Sequence, residues 1–232
     1  MMSNIRYDRL ILLMNDDELE KFCRAWTEKK VGYHEVKRFA GSGDMGRDVV
    51  GFLTDRRHDG EWDNYQCKQY RKGVTLSQGL LAIGKVLYWA SQGHFSAPEN
   101  FYFVAPKGLA RNFELLLDKP NELKKAMLEK WPSACANAIT KKATVTLDAN
   151  LKAFIEAYDF KNVHVVTIDD MMNDPAVIPL LIEKFGADPG KYPAATVPTD
   201  VQGTEMQYID ELVSAYAERA KKPFTDHAAV LA

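Results

Sequence analysis

An α/β fold, with a mixed central β-sheet flanked by helices, is what this sequence predicts, on three observations. Helical and strand-like periods follow one another in the order α-β-β-β-α-β-α-α-β-α. The first three strand segments are joined by short polar or glycine-rich turns and should pair as an antiparallel meander. Two later segments, 101–105 (FYFVA) and 163–168 (VHVVTI), are short and mainly apolar, the type that is buried on both faces of a sheet. The 232 residues are 46% hydrophobic and 27% charged, enough apolar surface to close a core and too much for a disordered chain.

Asn15 precedes three acids, Asp16, Asp17 and Glu18, as a cap residue does at the positive end of a helix dipole. Leu19, Phe22, Cys23 and Trp26 then recur at helical spacing, and that helix should end near Lys29–Lys30. Strands are expected over 33–39, 48–54 and 62–70, separated by the glycine-rich turn 40–46 and the polar turn 55–61. A long helix over 75–93 begins at Thr75 and carries Leu76, Leu80, Ile83 and Leu87 on one face. Helices are expected over 112–131, 147–158 and 176–185, the last closing at Gly186. Pro189, Pro193 and Pro198 mark 186–203 as a linker or strap, and an amphipathic helix over 204–221 comes after it, in a C-terminal segment 204–232. The main domain is thus expected over 1–185. The chain could be a piece of a longer protein or a subunit that receives its signal from another chain.

The three cysteines, Cys23, Cys67 and Cys135, are widely spaced with no CxxC pair, which argues against a disulfide framework or a zinc ribbon and for reduced thiols in the cytoplasm. The apolar run 10–14 is too short for a signal-peptide core, and the run 79–90, interrupted by Lys85, is too short to span a bilayer, so no membrane partner is expected. Net charge is -2, so the chain as a whole carries no basic field to attract nucleic acid. From Glu20 to Lys72, however, 12 Lys and Arg stand against 9 Asp and Glu, a local surplus of three. Arg47, Arg71 and Lys72, with the ring of Tyr70, flank the strands there and are candidates for phosphate and base contact.

Side chains alternate along a strand, so Gln66 and Lys68 share one face and Cys67 takes the other. If the second and third strands pair through the turn 55–61, Asp48 approaches Gln66 and Lys68 at one end of the sheet. An acid, an amide and a lysine in that arrangement suit metal-assisted cleavage of a phosphodiester. Asp48, the Gln66 side-chain oxygen and the Cys67 carbonyl would ligate Mg²⁺ (or Mn²⁺), which prefers oxygen donors. Lys68 could orient or deprotonate the attacking water, or neutralise the charge that develops on phosphorus. A fourth group could come from the first helix, Glu20 first and Glu18 second. Taken singly, Asp48 could cap its turn, Lys68 could snorkel from the surface and Glu20 could face water; together they compose a site.

Gly46-Arg47-Asp48 followed by Gln66-Cys67-Lys68 resembles the PD-(D/E)XK nuclease superfamily, and is most similar to Mrr-type restriction endonucleases and the nuclease domains of bacterial antiphage systems, CBASS effectors among them. The resemblance covers roughly 16–105. It implies a restriction-endonuclease-like core entered by a glutamate-bearing helix, with Asp48 as metal-binding acid, Lys68 as catalytic lysine and Glu20 as auxiliary acid. Gln66 stands where the superfamily more often has a carboxylate, a substitution common in the Mrr-like branch that removes one negative charge from the metal site. The expected function is therefore a Mg²⁺-dependent endonuclease acting on double-stranded DNA in antiphage defence, a homo-oligomer answering to a sensor or activator protein. The alternatives are a catalytically inactive module that binds nucleic acid or a partner, and an RNA or junction nuclease on the same core.

Overall fold

The computed structural model describes residues 6–41 and 43–185, and beyond them only 213, 214 and 217, which are helical. The chain divides into two units, 1–187 and 188–232. The helices of the first unit are α1 (Tyr7–Leu13), α2 (Asp16–Thr27), α3 (Leu76–Ser91), α4 (Arg111–Leu117), α5 (Pro120–Ala134), α6 (Ala149–Ala157), α7 (Ile168–Asn173) and α8 (Val177–Phe185). Its strands are β1 (Glu35–Arg38), β2 (Val49–Phe52), β3 (Trp62–Cys67), β4 (Asn100–Val104) and β5 (Val163–Val166). They form one open mixed sheet in the order β1-β2-β3-β4-β5. The first three strands pair antiparallel and the last two pairings are parallel, α3 providing the crossover from β3 to β4.

The period-two alternation of β2 and β3 sorts the core into two layers. Val50, Phe52 and Trp62 pack with Phe101 and Phe103 of β4 under α3, α5 and α6. Val49, Tyr65 and Cys67 face the other way and pack with Leu19, Phe22, Cys23 and Trp26 of α2, and with Met171 of α7 and Leu181 of α8. Each fully buried ring or aliphatic side chain stabilises the sheet by about 2 kcal/mol. α2 starts where the cap pattern says it should: Asn15 Oδ1 accepts from the Glu18 N–H at 2.9 Å, and Glu18 reaches back to the Asn15 N–H at 2.9 Å. α3 starts on the same device, built from Thr75 and Gln78.

Three expectations are corrected, and two helices are added. The single helix over 112–131 is two, because Pro120 has no N–H to give and holds Lys119 outside the helical region (φ -130°, ψ 72°), so α5 restarts with proline in its first turn. β5 is an edge strand with only Val163 buried, rather than a strand covered on both faces. β3 ends at Cys67 rather than at 70, since the Gln69 N–H turns away to Asp16 Oδ1 at 3.0 Å. α1 and α7 were not expected. α1 has no side-chain cap and is tied down from a distance, by Gln69 Nε2 donating to the Ile11 carbonyl at 2.7 Å. The strap over 186–203 lies outside the described residues, as does the helix over 204–221 apart from 213, 214 and 217.

Candidate active site

Asp48 immediately precedes β2, and continuing the ladder from Val49↔Tyr65 places it opposite Gln66. Its side chain and that of Gln66 point to the α3 face, 7% and 3% exposed. Three groups converge on one carboxylate oxygen. Asp48 Oδ2 accepts from Gln66 Nε2, from the Cys67 N–H at 2.9 Å and from Lys68 Nζ at 3.4 Å. Asp48, Gln66 and Lys68 open into a cavity of about 190 Å³ whose other wall is Gln78, Ala82 and Lys85 of α3. Adjacent strand ends and one helix thus bring together an acid, an amide and a lysine that lie up to 20 residues apart in sequence.

Burial pushes the Asp48 carboxyl up to about 6; the Lys68 charge and the Cys67 N–H oppose the rise, and the Glu20 charge adds to it. Burial acts to lower the Lys68 ammonium, but Asp48, Tyr70 and Cys67 outweigh it, and the net shift is upward. Lys68 is therefore a fixed cation at neutral pH, and Asp48 is ionised there at a cost in desolvation.

Among the described residues, three oxygens at this spot accept no hydrogen bond. Asp48 Oδ1 accepts no hydrogen bond, and Gln66 uses only its amide nitrogen. The Cys67 carbonyl points to the same side as its N–H, as in any antiparallel ladder. The N–H of Arg47 that would meet it bonds instead to the Asp44 carbonyl at 3.1 Å. A carboxylate, an amide and a peptide oxygen form a donor set that fits a hard divalent cation in kind. It is sparing in charge: among the described residues no group of three or more His, Cys, Asp or Glu could hold a metal ion.

The remaining expected residues divide. Tyr70 lines the cavity. Arg71 and Lys72 are exposed in the turn after β3. Arg47 is not a surface group: it is 7% exposed, its guanidinium lies over the rings of Phe39 (4.3 Å) and Phe95 (4.5 Å), and it donates to His58 Nε2 at 2.7 Å and to the Asp44 carbonyl at 2.8 Å. An arginine beside a glycine-rich turn was expected at a phosphate; the aromatic box of Phe39, Phe52, Trp62 and Phe95 around His58 holds it in the core instead. Burial, with the Arg47 charge, in turn depresses the His58 imidazole to about 4. Glu20 also departs from expectation. α2 covers the opposite face of the sheet, and Glu20 Oε2 is taken by Arg38 Nε at 2.9 Å and Nη2 at 2.7 Å. Its charge reaches Asp48, but its carboxylate is not among the groups lining the cavity. Glu18 closes the capping box of α2.

Two cavity residues escaped the sequence reading, Asp44 and Lys85, joined by an ion pair of 3.0 Å. The available signal was a single lysine interrupting the apolar run 79–90. Gln78 both closes the α3 cap and lines the cavity. Among the described residues no helix is long and apolar enough to cross a membrane. Comparison of the chain with protein-family models, with curated proteins and with solved structures gave no match, so the chain is characterised by its α/β sheet and this polar cavity alone.

Proposed function

We propose that the protein is a metal-dependent endonuclease with a restriction-endonuclease-like core, hydrolysing phosphodiester bonds of double-stranded DNA. The observation that carries this is the convergence of Gln66, the Cys67 N–H and Lys68 on a buried Asp48, in an open cavity lined by Asp48 and Gln66, whose Oδ1 and Oε1 accept no hydrogen bond among the described residues. Asp48 Oδ1, Gln66 Oε1 and the Cys67 carbonyl would hold Mg²⁺ or Mn²⁺, which when bound polarises a phosphoryl oxygen and acidifies water. Lys68, kept cationic, attracts the phosphodiester and offsets the negative charge that grows on phosphorus, which favours the electrostatic role over that of a base. Gln66 and the Cys67 N–H keep Asp48 turned into the cavity. In the net reaction water adds to phosphorus, one P–O ester bond breaks, and a phosphomonoester and an alcohol result. Action as a homo-oligomer in the cytoplasm, within an antiphage system and under a sensor or activator, completes the proposal and rests on the motif resemblance.

A specific observation favours a second reading, a nucleic-acid-binding module without activity. Among the described residues expected as ligands, Asp48 alone brings a free carboxylate to the metal, since Gln66 is neutral and Glu20 is engaged by Arg38. Labelled duplex DNA and RNA incubated with the full chain and Mg²⁺ or Mn²⁺ separate the readings. Cutting of DNA, lost in Asp48→Ala and in Lys68→Ala, is expected. Binding of DNA without cutting under either metal would favour the inactive module, and cutting confined to RNA would reassign the substrate.

A further inference from the structure

We propose that Lys85 is a second phosphate-binding cation of the Asp48 cavity, held ready by Asp44. The inference rests on the nuclease proposal and deepens it. Lys85 projects from α3, across the cavity from Lys68 at the end of β3. Its position is built. Asp44 Oδ1 accepts from Lys85 Nζ at 3.0 Å and from the Gly46 N–H at 2.8 Å, so one carboxylate oxygen sets both the turn and the ammonium. Gly46 has φ +92°, and a Cβ placed there would lie 3.2 and 3.3 Å from Lys85 Cβ and Cγ, and 3.0 Å from Val86 Cγ2. Glycine is needed both for that backbone angle and for the lysine stem to pass.

The charge pattern gives the pair a purpose. Without a metal the cavity holds Asp44 and Asp48 against Lys68 and Lys85, which balances. A divalent cation beside Asp48 leaves a surplus of positive charge, the condition under which a phosphodiester enters and Asp44 yields its lysine to it. An ion pair this exposed (31% and 25%) contributes little to stability, so stability alone is a weak reason for it.

The test is binding of a short random-sequence DNA duplex to the full chain, followed across salt concentrations, with Ca²⁺ in place of Mg²⁺. Lys85→Gln keeps most of the stem and removes the charge; it should weaken binding on unrelated sequences alike and flatten the log–log salt slope by about 0.9. Lys85→Arg should restore the slope. Asp44→Asn keeps an acceptor for the Gly46 N–H but frees the lysine, and should tighten binding. A merely structural pair would respond in the same direction to Lys85→Gln and Asp44→Asn, because both break it; that result, or a wild-type slope in Lys85→Gln, overturns the inference while wild-type binding leaves the nuclease proposal standing. Wild type that neither binds nor cuts DNA removes the proposal and this inference together.

Discussion

Replacing Asp48 by Asn should stabilise the protein, and do so only above mildly acid pH. Asn keeps the shape and one acceptor oxygen, so the Cys67 N–H and the Gln66 amide retain a partner, but it carries no buried charge. The direction of the shift fixes the sign. A carboxyl raised in the folded state from 3.8 to about 6 binds its proton more tightly folded than unfolded. Its ionisation therefore costs nothing below the unfolded value, and the folded state loses stability as pH rises through that window. The full cost, above about pH 6, is about 3 kcal/mol. Any fixed effect of the substitution, such as the amide lying beside Lys68, is independent of pH in this range, and His58, depressed to about 4, titrates alike in both proteins and cancels. The stability difference in favour of Asp48→Asn should thus grow by about 2.5 kcal/mol from pH 4 to pH 8, or roughly 5–10 °C in melting temperature. Thermal melts of both proteins in chelator-containing buffer across that range measure it. A difference that stays flat, or shrinks with rising pH, would refute the account of Asp48 as a desolvated carboxylate.

Other substitutions check neighbouring parts of the molecule. Arg47→Ala should cost about 3 kcal/mol in urea denaturation, by emptying the space between Phe39 and Phe95 and leaving His58 Nε2 unpaired, yet leave the salt slope of DNA binding unchanged. Gly79→Ala should destabilise despite alanine's better helix propensity: the added Cβ would meet the Phe113 ring at 2.2 Å, and overpacking of about 1–3 kcal/mol outweighs a gain of about 1. Lys68→Met should lower cleavage at least about a hundredfold, and should also raise the Asp48 carboxyl further, seen as a wider pH window in the same melts. Glu20→Gln should keep cleavage within a few-fold of wild type, because that carboxylate faces Arg38 rather than the cavity.

Local chemistry that one stretch of chain can express was legible before the structure. The Asn15 and Thr75 caps, the meander of three strands, and the alternation that sends Cys67 away from Gln66 all come from neighbours in sequence, and the structure reproduces them. Even the Asp48–Gln66 juxtaposition needed only the assumption that β2 and β3 pair. What escaped depends on which face each helix takes. A carboxylate on α2 is equally near the site in sequence whichever side of the sheet α2 packs on, and it packs on the far side. Lys85, conversely, reads as a blemish in an apolar helix until α3 is seen to form the cavity wall. Arg47 shows the same limit: three aromatic partners come from positions 39, 58 and 95, and nothing adjacent to it announces the box that buries it.

The most direct test of the central claim is cleavage of supercoiled plasmid in Mn²⁺ by wild type and by Asp48→Asn, side by side. The pH-dependent melts test independently whether the variant is folded, so that a loss of cutting by a cooperatively melting variant is not charged to unfolding. Nicked or linear product from wild type, and none from Asp48→Asn under the same conditions, is the expected result. Equal cutting by the two proteins would place any nuclease activity elsewhere in the chain and contradict the assignment of Asp48.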